Sequence, residues 1–533
     1  MVSLLDCTLR DGGYVNDWNF GNNNLINIFE RLVDSGVDTI EVGFLDQRRP
    51  FDKNRSIMPD TESVNRIYGH LNKGKSSVIA MIDYGSCDIK NIQPCADTIL
   101  DGIRVIFKKH LRVPALDFCA QVKALGYKVY AQLVSVTSYN DTELLDLISL
   151  ANKVKPYAVS MVDTYGLMHQ NNLLHYFDLL DTNLDPEINL GYHAHNNFQM
   201  GYANCISMIN RSNYTKRNLL VDGSIYGMGK SAGNAPIELI MMHMNRIWEK
   251  RYNIGQILEA IDSSILQFYQ TATWGYNVFY YIAALNNCHP NYVAFLMNKK
   301  TLSVRAIMEL LEQLPSEKAL LYDEKCIESI YLAYQNNTID DSKALEQLTS
   351  ILCGKEVFLI GPGSIEGVSE LIDSSDKDNS VVISINCIRN EIKQDYLFLC
   401  NAKRYLQMTA QLSESDYSII ATSNLTKTGK NEFDFVLNYE TLLEKAPIVA
   451  DSATIMIMKV LEKVGCKSIK IAGLDGYSHN SAQMFGDEDG AELIDNMQEY
   501  INSYIGGVIN EVGRKTNVDF ITRSLFAKYC SQV

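Results

Sequence analysis

Ser3-Leu4-Leu5-Asp6-Cys7-Thr8-Leu9-Arg10-Asp11-Gly12-Gly13-Tyr14 is an apolar run that ends abruptly in an arginine, a carboxylate and two glycines. A buried strand of this composition delivers charged groups to a turn. Left buried and unpaired, Arg10 and Asp11 would each be costly, so each needs a partner. A metal for Asp11 and an anion for Arg10 satisfy both; a plain structural ion pair is the other reading. A second stretch, Gly191-Tyr192-His193-Ala194-His195-Asn196-Asn197, weighs toward the metal. Histidines at i and i+2 of a strand share a face, ~7 Å apart along the backbone. Two imidazoles so placed can bind one cation.

Working outward from these two stretches, residues 1 to about 250 alternate short apolar strands with longer helical segments. Strands are expected at Ser3–Leu9, Thr39–Phe44, Ser77–Ile82, Gly102–Phe107, Lys128–Val136, Tyr157–Val162, Asn189–His195 and Leu219–Ile225. Helices such as Asn24–Ser35 and Asp141–Lys153 lie between them. This pattern predicts an α/β fold, a (β/α)8 TIM barrel rather than an open sheet. Arg10, Asp11, Glu41, Asp83, Lys108, Gln132, Asp163, His193, His195 and Asp222 all fall at or near strand C-termini, the face that carries chemistry in such barrels.

Residues 251–350 read as a helical extension, with an aromatic segment at Trp274-Gly275-Tyr276-Asn277-Val278-Phe279-Tyr280-Tyr281. Residues 351–533 read as a Rossmann-like α/β domain. It opens with Val357-Phe358-Leu359-Ile360-Gly361-Pro362-Gly363-Ser364, a strand running into a glycine-containing turn that can offer N–H groups to a phosphate. The turn lacks the third glycine of a dinucleotide fingerprint and the lysine of a P-loop.

Composition narrows the function classes. At 533 residues, two or three domains are expected. A net charge of −15 argues against nucleic acid or an anionic membrane as partner. The 12 cysteines are scattered without a C-x-x-C pair, as in reduced core thiols, so a cytoplasmic protein is expected. No signal peptide and no membrane span is read.

Asp11, His193 and His195, brought to one barrel mouth, make a site of one carboxylate and two imidazoles. Asn234, in Gly227-Met228-Gly229-Lys230-Ser231-Ala232-Gly233-Asn234, is a candidate fourth ligand through its amide oxygen. A mixed oxygen and nitrogen set suits Mn²⁺ or Mg²⁺, with Zn²⁺ or Co²⁺ as further choices. Such an ion can chelate a 2-oxo acid and stabilise the enolate formed when C3 loses a proton or a C–C bond breaks. Arg10 would steady the same oxyanion.

These residues carry a resemblance. Thr8-Leu9-Arg10-Asp11-Gly12, Ile40-Glu41-Val42-Gly43-Phe44, Asp163-Thr164-Tyr165-Gly166, His193-Ala194-His195-Asn196-Asn197 and the loop through Gly233-Asn234 resemble, in order, the metal-dependent pyruvate aldolase and hydroxymethylglutaryl-CoA lyase superfamily. The similarity is nearest to the 4-hydroxy-2-oxovalerate aldolases. It implies a carbon–carbon lyase acting on a 2-oxo acid and an aldehyde, with Asp11, His193, His195 and Asn234 at the metal. Arg10 is then the enolate stabiliser, while Glu41 and Asp163 orient Arg10 or the ligands. It also implies a tyrosine from the post-barrel helices, here Tyr276. Where the aldolases carry a histidine three positions after the aspartate, this chain has Tyr14. A phenol of pKa ~10 donates a proton readily but needs help to accept one.

The alternatives are an acyl-CoA-dependent Claisen-type lyase or synthase, and a degenerate barrel acting as scaffold. Residues from about 355 to 500 resemble, more loosely, Rossmann-like domains of bacterial sialyltransferases. That resemblance makes Gly363, Ser364 and Asn386 candidates for a nucleotide or nucleotide-linked sugar. His479 is the one histidine there, and it matches no catalytic base of that family. A homo-oligomer is expected.

Overall fold

β1 (Val2–Asp6) is shorter than its apolar run, and the reason is local. The Asp6 carboxylate accepts the backbone N–H of Thr8 at 2.9 Å and its hydroxyl at 2.7 Å, which bends the chain out of the sheet. A single helical turn, Thr8–Asp11, follows. Arg10 and Asp11 therefore stand on that turn, above the strand end.

The computed structural model describes residues 1–249, 251–299, 301–412, 416–427, 433–446, 449–477 and 490–530. They form two compact units, Met1–Pro290 and Asn291–Val533. The first is the barrel. β2 (Thr39–Leu45), β3 (Ser77–Asp83), β4 (Gly102–Phe107), β5 (Lys128–Leu133), β6 (Ala158–Asp163), β7 (Asn189–Ala194) and β8 (Leu219–Gly223) follow β1 in parallel order. β1 pairs with both β2 and β8, which closes the ring.

The helix Asn22–Ser35 shows why the layers form. Leu25, Ile28, Phe29 and Leu32 recur at helical spacing and are buried against the barrel's outer face. The helix ends at Gly36, whose φ of +80° a side chain would resist. Asp141–Val154 starts at a reciprocal cap between Asn140 and Glu143.

Alternation along the strands divides the lumen into layers. Leu5, Cys7, Ile79, Tyr130, Ala158 and Leu220 make an apolar floor. Buried polar side chains, Glu41, Arg104, Gln132, Ser160 and Asp222, share the lumen with it. Toward the mouth, Trp18, Phe44, Ile57 and Met81 form an apolar wall, with Tyr14 and Ile106 packed against it.

The second unit is a seven-stranded parallel sheet. Its strands are β9 (Glu356–Ile360), β10 (Ser380–Ile385), β11 (Tyr396–Leu399), β12 (Ser418–Thr422), β13 (Phe435–Leu437), β14 (Ser468–Ala472) and β15 (Asn517–Phe520). The order is β13-β12-β11-β10-β9-β14-β15, so direction of growth reverses between β9 and β14. β13 and β15, only three and four residues long, gave no strand signal in the sequence. The helix Ala453–Val464 lies buried along most of its length. His479 lies outside the described residues. Among the described residues, no helix is long and apolar enough to cross a membrane.

The bend after β1 is pH-sensitive. Burial pushes Asp6 up to about 7, whereas an unfolded aspartate titrates near ~3.9. The folded state thus holds a proton that the unfolded chain releases, so this group's stabilisation is complete below pH ~4 and lost as pH rises through about 7. Asp6→Asn mimics the protonated carboxyl. Its stability advantage over the parent should grow by roughly 1.4 kcal/mol per unit from pH 4 to 7, measured by urea unfolding at three pH values. An advantage independent of pH would refute this account.

Candidate metal centre

The turn Thr8–Asp11 is held from both sides. Thr8 accepts the N–H of Ile225 on its hydroxyl at 2.8 Å, tying the turn to the chain after β8. The Trp18 indole donates to the Arg10 carbonyl at 2.8 Å. Arg10 and Asp11 are thereby fixed pointing into the mouth, both buried.

From Asp11 a chain of alternating charge crosses the lumen. Arg10 Nη1 meets Asp11 Oδ1, and Arg10 Nε donates to Glu41 Oε2 at 2.8 Å. Glu41 Oε2 also accepts from Arg104 Nη1 at 3.2 Å. Arg104 Nη2 continues to Gln132 Oε1 at 2.7 Å and Asp222 Oδ2 at 2.5 Å. Asp222 Oδ2 lies 3.0 Å from His193 Nδ1. Every residue of this chain is buried.

The two imidazoles present the same atom to the mouth. Asp222 can only accept from His193 Nδ1, and the Asp163 backbone carbonyl can only accept from His195 Nδ1 at 3.2 Å. Both rings are therefore Nδ1–H tautomers with a lone pair on Nε2. Neither Nε2 has a hydrogen-bond partner. His195 Nε2 stands 3.3 Å from Asp11 Oδ2, an acceptor facing a carboxylate oxygen. Only a proton or a cation between them removes that repulsion. Ligand atoms of Asp11, His193 and His195 all lie within 4.8 Å of one another. The donor set fits a divalent cation.

Asn234 packs against the same carboxylate. Its Nδ2 donates to Asp11 Oδ2 at 2.6 Å and its Oδ1 is buried without a partner. An isolated bridge between His195 and Asn234 holds the two loops together. Gly229 leaves room for this contact, since a Cβ there would stand 2.2 Å from Asn234 Nδ2 and 2.6 Å from Asp11 Oδ2.

The electrostatics favour the ligand forms. Burial opposes ionisation of Asp11, but Arg10 first and then His195 hold it well below the usual carboxylate range. Asp222 is likewise lowered, the Arg104 charge and the His193 hydrogen bond outweighing burial. Burial lowers His193, which keeps the imidazole neutral.

Other residues singled out in the sequence are placed differently. Glu41 holds Arg10 directly. Asp163 reaches His195 through its backbone carbonyl; its carboxylate accepts the N–H groups of Leu167 and Met168 at 2.8 and 3.0 Å and is pushed up to about 6 by burial. Tyr14 is half-buried, its ring 4.8 Å from that of Trp18 and beneath Lys230 Nζ at 4.9 Å. Tyr276 is 65% exposed. Trp274 from the same segment donates to the Tyr226 carbonyl at 2.9 Å, and Tyr281 and His289 pack edge-on against Phe198 and Tyr165. Arg104 was missed, although an arginine in the middle of the apolar strand Gly102–Phe107 is itself a signal of a buried partner.

In the second unit, the Gly363 N–H donates to the Gly473 carbonyl at 2.7 Å, and the Ser364 N–H points to Asp475 Oδ2 at 3.3 Å. Arg389 donates to the carbonyls of Gly361 and Gly363. The Asn386 side chain accepts the Cys400 N–H at 3.2 Å.

Residues 1–263 match the model of the family described as HMGL-like. The chain is 24% identical over 271 residues to 4-hydroxy-2-oxovalerate aldolase 2 of Salinispora arenicola, covering 50% of this chain and 75% of that one. It is 25% identical over 253 residues to the 4-hydroxy-2-oxovalerate aldolase of a Marinomonas strain, covering 46% and 71%. The crystal structure of the HMG-CoA lyase of Bacillus subtilis aligns at a TM-score of 0.40 and 16% identity over 50% of this chain and 93% of that one. By the family match and the two curated relatives, the first half of the chain is related, at low identity, to the HMGL-like superfamily.

Two substitutions test the centre. His195→Ala removes a ligand and Gly229→Ala drives a methyl group against Asn234 and Asp11. Each is expected to weaken Mn²⁺ binding by at least about tenfold while the circular dichroism stays native. Unchanged affinity in calorimetric titrations of both variants would show that the cation binds elsewhere.

Proposed function

We propose, from the HMGL-like relationship of residues 1–263 and the site they hold, that the chain is a divalent-metal-dependent carbon–carbon lyase. It makes or cleaves a 4-hydroxy-2-oxo acid from pyruvate or a related 2-oxo acid and an aldehyde. The observation that carries this reading is the pair of unpartnered Nε2 atoms facing Asp11. A cation held by Asp11, His193 and His195, with Asn234 as fourth ligand and Mn²⁺ or Mg²⁺ preferred, supplies a Lewis acid for the 2-oxo acid's oxygens.

The chain's own residues do the rest. Arg10 Nε and Nη1 are engaged by Glu41 and Asp11, which leaves Nη2, without a partner among the described residues, for the developing enolate oxygen. In cleavage the C4 hydroxyl gives up its proton as the C3–C4 bond breaks, the aldehyde leaves, and C3 is then protonated. In the condensation direction the hydroxyl of Tyr14, half-buried beside the mouth, rather than that of the exposed Tyr276, gives its proton to the aldehyde oxygen that becomes the C4 hydroxyl and is reprotonated from solvent; cleavage runs the same transfer in reverse, from the tyrosinate. Glu41 and the Asp163 carbonyl keep Arg10 and His195 oriented.

For the second unit, the reversal of strand order between β9 and β14 supports a ligand crevice at the strand C-termini. We propose a nucleotide-linked ligand there, with Gly363, Ser364 and Asn386 at its edge.

Metal-dependent exchange of the C3 protons of pyruvate with deuterium oxide tests the enolate step without the aldehyde. Loss of exchange on chelation and its return with Mn²⁺ are expected. No exchange under any metal would refute the reading.

Arg10→Lys keeps the charge but loses the planar fork, so it should bind Mn²⁺ and lose ~10²–10³ of the exchange rate. A near-normal rate would assign the enolate oxygen to another donor.

Tyr14→Phe should slow aldol cleavage by at least about tenfold without changing Mn²⁺ affinity. If cleavage in Tyr14→Phe is unimpaired while Tyr276→Phe is inactive, proton transfer belongs to the post-barrel segment.

A further inference from the structure

The lumen side of β4 carries Arg104 and Ile106 at alternate positions, and Lys108 continues the alternation. Lys108 has φ −74° and ψ 153°, still extended, so its side chain leaves on the side that Ile106 and Arg104 share. Across the mouth, Lys230 follows Gly229 in the loop after β8. Its backbone N–H lies 3.3 Å from Asp11 Oδ2, and its ammonium stands 4.9 Å over the Tyr14 ring. Among the described residues, no carboxylate comes within 4.0 Å of either ammonium group. Arg48 on the same arc is already paired with Asp46 through two hydrogen bonds. Asp83, opposite Ile106 in the sheet register, feels both Lys108 and Lys230 but is one carboxylate for two ammonium ions.

The apolar wall of Trp18, Phe44 and Met81 carries Tyr14, over whose ring Lys230 stands, and Ile106, two residues before Lys108. Beside the metal ligands the mouth is therefore apolar on one side and cationic at its outer edge. In a chain of net charge −15, an excess of cation at that place needs a cause.

Resting on the aldolase reading above, we propose that the aldehyde partner is anionic. Its carbonyl end meets the metal centre, its carbon chain lies on the Tyr14–Phe44–Met81–Ile106 wall, and a carboxylate or phosphate at its far end is held by Lys108 and Lys230. A short neutral aldehyde would leave both ammonium groups solvated and the wall partly wet.

The test uses the full-length protein loaded with Mn²⁺. Condensation of pyruvate is measured with succinic semialdehyde, with glyceraldehyde 3-phosphate and with neutral butanal. The better anionic aldehyde should exceed butanal by at least about tenfold in kcat/KM, and the better of the two identifies the anion as carboxylate or phosphate. That preference should shrink as ionic strength rises from 0.01 to ~0.3 M, a readout that needs no variant. Lys108→Ala and Lys230→Ala should each cut the preference at least about threefold, through the KM for the aldehyde, with Lys→Arg at either position restoring it. Equal kcat/KM for anionic and neutral aldehydes, in protein that exchanges pyruvate C3 protons normally, would overturn the inference and leave the aldolase reading intact. A preference unchanged in both alanine variants would also overturn it. Absence of metal-dependent exchange would remove the aldolase reading, and the inference with it.

Discussion

The barrel mouth depends on one buried chain of charge, from Asp11 through Arg10, Glu41, Arg104 and Asp222 to His193. Burying any one of these ions alone would cost several kcal/mol even after relaxation. Joined end to end, each carboxylate has a guanidinium on at least one side, and each guanidinium has carboxylates on two. The strands that supply these residues are therefore locked in register by polar contacts as well as by the sheet. That rigidity is what a metal site requires, because ligand geometry is set by the groups behind the ligands.

The chain also explains why the histidines are legible as ligands from their surroundings. Asp222 and the Asp163 carbonyl each occupy an Nδ1, so both Nε2 lone pairs are committed to the mouth before anything binds. The alternative tautomer would set an acceptor against an acceptor at each Nδ1. The loop after β8 completes the arrangement at close quarters. Gly229 lets Asn234 reach Asp11, and Gly233, at φ +76° and with a would-be Cβ 2.1 Å from the Gly227 carbonyl, lets the loop fold back on itself.

Much of this was readable in the sequence, and the misses have physical causes. Alternating apolar strands and helices gave the barrel, and the i, i+2 histidines gave their shared face. The strand at Ser3–Leu9 was read too long because the Asp6 carboxylate's capture of Thr8 is a side-chain event that apolar patterning does not register. Arg104 was overlooked because pattern reading treats a mid-strand residue as core, yet a permanent charge there has to find carboxylates. Asp163 was expected to orient Arg10 or the ligands, with no atom of it named. Its carboxylate instead caps the turn that follows, while its backbone carbonyl, which no sequence pattern marks, holds His195. In the second unit, a glycine turn advertises N–H groups, but whether they are available depends on distant carbonyls and carboxylates such as Gly473 and Asp475.

Charge balance bears on what the centre can hold. Asp11, Glu41 and Asp222 set three carboxylates against the two guanidinium groups of Arg10 and Arg104, and His193 is kept neutral by burial. These five groups sum to one negative charge, and buried Asp163, pushed up to about 6, adds to it near neutral pH, which favours a cation over an anion as the first occupant. In the proposed reaction the carboxylate of a 2-oxo acid would enter against that cation. The same reasoning distinguishes the two ends of the mouth. A second anionic group, as proposed for the aldehyde, would be met farther out, at Lys108 and Lys230, which share the single carboxylate of Asp83 between them.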